Sequence, residues 1–147
     1  MHDSPTLHVL DIENLVGGPV PNPEAVKAVH GEYMRMMAPT GPDRSVMGTS
    51  HIAAKHIWFS WPDRSTKRLV RSGADGADLA LLGYLSEPAN LRGIHHVVIA
   101  SGDAIFTPAV RRLRMNGIRV TVVSRPQSLA GSLRAEADEV KRLVVAA

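Results

Sequence analysis

The stretch "IHHVVIASGDAIFTPAVRRLRMNGIRVTVVS", residues 94–124, decides the fold class. Its apolar run at 97–100 is typical of a strand buried on both faces of a parallel sheet. The run ends in Ser101-Gly102-Asp103, a helix-like segment follows, and a second apolar run begins at Ile118. A strand, a helix and a second strand in this order predict a parallel βαβ unit with a right-handed crossover.

The same alternation extends outward over the chain. Apolar runs predict strands at 7–10, 45–51, 67–73, 96–100 and 118–123. Helical spacing predicts helices after Pro23, at 52–61, from Asp75 to about Glu87, at 107–116 and near 128–144. We therefore expect one domain over 1–147, a three-layer α/β fold with a parallel sheet of about five strands flanked by helices.

Composition narrows the classes of function. Of the 147 residues, 44% are hydrophobic and 21% charged, which is ordinary globular usage. The absence of cysteine excludes disulfides, thiolate metal sites and cysteine nucleophiles. No apolar run is long enough to span a bilayer, and the N-terminal sequence is not typical of a secretion signal. We therefore expect a cytoplasmic protein with no membrane partner.

Acidic residues follow two of the predicted strands. "HVLDIENL" (8–15) places Asp11, Glu13 and Asn14 after the first strand, and "VVIASGD" (97–103) places Asp103 after the fourth. Ligands of open parallel sheets bind at this carboxyl edge. Each of these residues also fits an ordinary role in a turn, because Asp and Asn readily bond local backbone.

A third acidic group begins a helix in "SGADGADLALLGYL" (72–85). Asp75 and Asp78 fit a helix cap and its acidic partner three residues later. Asp78 also shares a helix face with Leu81, Leu82 and Leu85, so its carboxylate begins the stripe that should face the sheet. Such a carboxylate needs a cation or a hydrogen bond, because burying an unpaired charge is costly.

We therefore expect Asp11, Asp78 and Asp103 to converge on a divalent cation that offsets their mutual repulsion. Ligands that are all oxygen favour Mg²⁺ or Mn²⁺ over zinc. Asp75 is a further candidate ligand. Among the histidines a structural role is favoured, and His51 is the one to watch, because it ends the second predicted strand at the same edge.

Four segments in their order and spacing resemble the NYN domain family of the PIN-like nucleases: "LHVLDIENL", "GADGADLALLGYL", "HVVIASGDAIFTPAVRRLRMNGIRVTVVS" and "LRAEADEVKRL". The resemblance covers about residues 7–143. It implies a metal-dependent ribonuclease with a Rossmann-like (PIN-like) parallel sheet, in which strand-end carboxylates hold Mg²⁺ or Mn²⁺. It assigns Asp11, Asp78 and Asp103 to the metal, Asn14 to steadying the site, and Asp138 to a late acid facing the same cleft.

The chain departs from the family pattern at one position. The family commonly has a second aspartate two positions after that of "SGD", and here Ile105 stands there. With this acid missing, we expect one ion at most, weak binding without RNA, and better activity with Mn²⁺ than with Mg²⁺. Replacing Ile105 with Asp should tighten metal binding if the side chain faces the cleft, and should only destabilise the fold if it lies in the core.

The expected partner is RNA, attracted by the basic residues Arg111, Arg112, Arg114, Lys67 and Arg68. Solvated faces of ordinary elements explain these groups equally well. The first functional hypothesis is an endoribonuclease acting by metal-ion catalysis. The second is a catalytically weak or inactive module that binds RNA or protein, and a small-ester phosphatase is third. The sequence leaves a homodimer open.

Overall fold

The computed structural model describes residues 4–17, 22–50, 53–54, 57, 60–63, 65–73 and 75–145. Within these residues the chain forms one parallel sheet of six strands. The strands are β1 (Thr6–Asp11), β2 (Arg44–Thr49), β3 (Lys67–Val70), β4 (His96–Ala100), β5 (Arg119–Ser124) and β6 (Glu139–Arg142). The mixed α/β class and the parallel sheet flanked by helices are confirmed.

Helices connect most of the strands. They are α1 (Ile12–Val16), α2 (Pro23–Met37), α3 (Gly76–Ser86), α4 (Thr107–Met115) and α5 (Gly131–Glu136). In the segment 52–61, where the sequence predicts a helix, the described residues Ala53, Ala54, Ile57 and Ser60 are helical. Residues 51–52, 55–56 and 58–59 lie outside the described ranges, and His51 is one of them. No helix in the described part of the chain is long and apolar enough to cross a bilayer.

The strand order is β3-β2-β1-β4-β5-β6, with every neighbouring pair parallel. The chain adds β2 and β3 on one side of β1, then returns to place β4 on the other side. The connections reverse direction between β1 and β4, and the carboxyl ends of these two strands carry Asp11 and Ser101-Gly102-Asp103. Ligand crevices in open α/β sheets form at such a reversal.

Each face of the sheet has its own core. Val97 and Ile99 pack into the cluster beneath α3, α4 and α5, whereas Val98 and Ala100 pack into the cluster beneath α1 and α2. The alternation follows from the strand period of two residues, and burial on both faces explains why β4 is apolar throughout. The result is the expected three-layer arrangement.

The C-terminal segment differs from the expected helix near 128–144. Helix α5 ends at Glu136, and Glu139–Arg142 form β6, paired with β5. The charged residues of this segment suit an edge strand, which has solvent on one side. Only Val140 needs to reach the core, and it packs against the α5 side of the sheet. With β6, the sheet of the described residues has six strands, where the sequence predicts about five.

Candidate metal centre

The acids gather in a cleft of about 200 Å³ at the carboxyl edge of the sheet. Three segments build it: the end of β1, the loop after β4 and the first turn of α3. Its acidic and amide lining consists of Asp11, Glu13, Asn14, Asp75, Asp78 and Asp103. The sheet topology therefore brings together residues that are far apart in sequence.

Three carboxylates form the tightest group. One oxygen from each of Asp75, Asp78 and Asp103 lies within 4.8 Å of the other two. Three hard oxygen donors at this separation fit a divalent cation such as Mg²⁺ or Mn²⁺. The donor set contains oxygen only, so it is compatible with a divalent metal ion.

Asp11 supports this group from the buried side. The Asp11 carboxyl lies against that of Asp78, and only 3% of Asp11 is exposed. The Ser101 hydroxyl donates to Oδ2 of Asp11 at 2.7 Å, and the backbone N–H of Asn14 donates to Oδ1 at 3.4 Å. Burial raises the pKa of the Asp11 carboxyl, although these hydrogen bonds act in the opposite direction.

Asp78 is the most strongly perturbed acid of the cleft. Burial, followed by the negative charges of Asp11 and Asp103, raises its pKa from 3.8 to about 8. Without a cation, Asp78 holds a proton at neutral pH that reduces repulsion within the cluster. A divalent cation performs the same neutralisation and competes with that proton.

Asp103 combines a turn role with a place in the cluster. Its Oδ1 accepts the backbone N–H of Ile105 at 3.0 Å, which caps the short 3₁₀ turn Ala104–Phe106. The Asp103 carboxyl also lies against that of Asp78. The turn interpretation and the cluster interpretation of Asp103 therefore both hold.

Asn14 and Gly102 fix the loop that carries Asp103. The backbone N–H of Gly102 donates to Oδ1 of Asn14 at 2.9 Å. A Cβ on Gly102 would lie 2.3 Å from both Ser124 Oγ and the Ser128 carbonyl oxygen. Glycine is required at this position because a side chain has no room.

Asp75 does not act as the expected helix cap. It precedes α3 in the left-handed conformation, with φ of 57°, and its side chain makes no capping hydrogen bond. A non-glycine residue in this conformation is uncommon, although Asp tolerates it better than most. The exposed carboxylate instead belongs to the acidic group.

Glu13 joins the cleft to the end of β2. Its Oε2 accepts the backbone N–H of Ser50 at 2.9 Å. The contact ties the start of α1 to the segment after β2, beside the acidic group. Glu13 therefore stabilises the wall of the cleft through this hydrogen bond.

Sequence reasoning missed two supporting residues. Ser101 is fully buried, donates to Asp11, and accepts the backbone N–H of Asp103 at 3.1 Å. Arg125 donates from Nε to the carbonyl oxygen of Asn14 at 3.0 Å. Ser101 stood in the quoted "SGD" and its position at a strand end was a usable signal. The role of Arg125 depends on tertiary contact alone.

Two expected site residues lie elsewhere. Ile105 packs partly buried against the core and does not line the cleft. Asp138 precedes β6 at the amino edge, where its carboxylate accepts the Val120 N–H at 2.8 Å and pairs with Arg114 at 3.0 Å. The expectation that Asp138 faces the cleft is therefore wrong, because parallel strands put the two edges at opposite ends.

The basic residues expected to contact RNA lie away from this edge. Arg111 pairs with Glu136 at 3.5 Å, and Arg114 pairs with Asp138. Arg68 donates to the Trp61 carbonyl oxygen at 2.9 Å, and Lys67 lies over the Tyr84 ring. Arg112 lies near the end of α4, beside Asn116 and Ile118. Most of these side chains are engaged within the protein.

Comparison with known proteins agrees with the fold. Residues 51–143 match the family model described as NYN domain. A crystal structure of a protein of unknown function from Vibrio parahaemolyticus superposes with a TM-score of 0.61 at 15% identity, covering 97% of this chain and 94% of that one. No curated protein matches the sequence.

Proposed function

This chain belongs to the NYN domain family of the PIN-like superfamily, and we propose that it is a metal-dependent endoribonuclease. The observation that carries the proposal is the convergence of the Asp75, Asp78 and Asp103 carboxylates within 4.8 Å, with the buried Asp11 carboxyl behind them. The substrate would be RNA, and the cation Mg²⁺ or Mn²⁺.

The donor chemistry supports this assignment. The cluster lies at the topological reversal of the sheet, and the raised pKa of Asp78, about 8, reflects burial and unrelieved repulsion among acids. If these acids had only a structural role, replacing one of them would relieve the repulsion among them and stabilise the protein. Retaining several is useful where a cation binds.

Each residue has a distinct role in the proposed site. Asp78 and Asp103 would hold the cation, with Asp75 completing the open side. Asp11 would orient Asp78, and Asn14 would fix the Asp103 loop through Gly102. When bound, Mg²⁺ or Mn²⁺ supplies a water of lowered pKa and neutralises charge on the phosphate.

The test is cleavage of a labelled RNA by purified protein with Mn²⁺, with Mg²⁺ and with EDTA. We expect cleavage that EDTA abolishes and that Asp103→Asn lowers by at least about 100-fold, because the amide retains the turn hydrogen bond but loses the charge. Cleavage by Asp103→Asn at the parent rate with the same metal dependence would overturn the proposal.

The second candidate is a module that binds RNA or protein without cleaving it. The observation in its favour is Ile105, which occupies the position of a family acid and packs against the core. RNA binding by the parent protein without cleavage in either metal would favour this candidate. Release of phosphate from small esters would instead support a phosphatase.

A further inference from the structure

We propose that a single strand of RNA crosses the carboxyl edge of the sheet, held by Arg71 on one flank and by the pocket of Arg134 and Arg142 on the other; these three residues are here called the arginine track. This inference rests on the proposed function, because it names how that site would hold its substrate. It replaces the basic residues expected from the sequence with others that the fold places beside the acids.

The arginine track lies on both sides of the acidic cleft. Arg71 follows β3 at one end of the sheet, and Arg142 ends β6 at the other. The strand order places β1 and β4, with Asp11 and Asp103, between them. Five strand spacings separate β3 from β6, about 24 Å in all, so the track is long enough for several nucleotides.

The charges of the track are available to a ligand. Arg71, Arg134 and Arg142 are exposed, and none of them forms an ion pair with another residue of the described ranges. Arg111 and Arg114 are in contrast paired with Glu136 and Asp138. Unpaired arginines can bind phosphate without first breaking a contact within the protein.

A pocket of about 460 Å³ gives one flank of the track a defined shape. Arg134 and Arg142 line it together with Pro126, Leu129 and Val140. Its wall therefore combines apolar side chains with two cations, which suits the sugar–phosphate backbone of RNA. This flank of the track therefore has a concave, partly apolar surface as well as two positive charges.

The pocket is physically joined to the acidic site. The loop at 125–130 carries Pro126 and Leu129, and the backbone N–H of Ala130 donates to the carbonyl oxygen of Gly102 at 2.9 Å. Gly102 directly precedes Asp103. An RNA strand seated in the pocket would therefore continue towards the acidic group.

Binding of RNA across the acidic cleft needs positively charged side chains on either side of it. The acids of the cleft repel phosphate even when one cation is bound, so attraction for a polyanion must come from the flanks. A flexible single strand can follow the twisted edge from one flank to the other. The arrangement holds the strand on both sides of the bond to be cut.

The experiment measures binding of a labelled single-stranded RNA by fluorescence anisotropy over a range of salt concentrations, in EDTA so that cleavage does not interfere. The test variants are Arg134→Gln/Arg142→Gln and Arg71→Gln. The matched control is Arg92→Gln/Arg119→Gln, which removes two exposed charges at the amino edge. A further variant, Arg134→Lys/Arg142→Lys, keeps the charge.

We expect the slope of log K against log salt to become shallower by about 1.4 in the double variant and about 0.7 in Arg71→Gln, since each contact to single-stranded phosphate contributes about 0.7. The lysine variant should retain the parent slope, and so should the amino-edge control. These results would support the track even if the parent failed to cleave RNA, which would overturn only the nuclease proposal.

Parent affinity and parent slope in the Arg134→Gln/Arg142→Gln variant would overturn the track, and would leave the nuclease proposal standing if the parent cleaves RNA. An equal loss in the amino-edge control would also overturn it, because the effect would then be one of net charge.

Discussion

Asp78 illustrates how a single residue reports the chemistry of the site. It begins the inward face of α3, and the structure places its carboxylate against Asp11 and Asp103. The position was predictable because Asp78 shares a helical stripe with three leucines. Its pKa was not predictable, since that depends on burial and on acids contributed by other elements.

The raised pKa of Asp78 gives a prediction about stability. Between pH 3.8 and about 8, the folded protein retains a proton that the unfolded chain has released. This contribution to the free energy of unfolding is fully present below pH 3.8 and is lost as the pH rises through about 8. The metal-free protein should therefore lose stability over this range.

Asp78→Asn should remove this dependence. We expect the metal-free variant to be more stable than the parent by about 2 kcal/mol above pH 8 and nearly equal near pH 4. A shift of one pKa unit corresponds to about 1.4 kcal/mol in the free energy of unfolding. We expect a smaller change than the whole shift of Asp78 would give, because Asp78 titrates together with Asp11. Urea denaturation in EDTA measures this, with Glu87→Gln as the control. Parallel pH profiles for parent and Asp78→Asn would contradict it.

Ile105 gives a second prediction at this scale. Its side chain packs against the core, so the condition for an added metal ligand is not met. Ile105→Asp should lower the free energy of unfolding by about 1–3 kcal/mol and leave the affinity for Mn²⁺ unchanged. Ile105→Leu is the control and should stay close to the parent. A stable Ile105→Asp variant with tighter Mn²⁺ binding would show that this side chain reaches the cleft.

The elements differ in how far the sequence specifies them. β4 was predictable because its apolar run fits burial on both faces, and Asp103 followed because it ends that strand. β6 was not, because "EVKR" is charged and has only one core residue. Its strand conformation comes from pairing with β5, a tertiary effect that local preference does not contain.

Gly102 links the elements around the site and gives a third prediction. Gly102→Ala would bring Cβ within 2.3 Å of Ser124 Oγ and the Ser128 carbonyl oxygen, forcing the Asp103 loop away from the segment at 124–128. We expect a loss of about 1–3 kcal/mol in the free energy of unfolding, together with weaker Mn²⁺ binding. Thermal denaturation and metal titration test the two effects.

The matched control is the same substitution in α3. A Cβ on Gly83 meets nothing within 4 Å, and the residue is exposed in the helix. Gly83→Ala should therefore stabilise the protein by up to about 1 kcal/mol, because alanine is the better helix former. A Gly102→Ala variant as stable as Gly83→Ala would contradict the close packing described for the loop.

At the scale of the whole molecule, the strand order explains why the site lies where it does. The reversal between β1 and β4 opens a crevice at the carboxyl edge, and α3 adds Asp75 and Asp78 to it. The strand-end rule predicted Asp11 and Asp103, and the helical stripe predicted Asp78. Asp138 was assigned to the cleft by the family resemblance alone, and it lies instead before β6, at the amino edge.

The acids of the cleft are proposed to hold a divalent cation. Anomalous diffraction from crystals soaked in Mn²⁺ tests this most directly, because the signal locates the metal itself. We predict a peak about 2.1 Å from carboxylate oxygens of Asp78 and Asp103, with Asp75 and Asp11 beside it. A cleft without a peak at saturating Mn²⁺, or Mn²⁺ bound only at another place, would contradict the account.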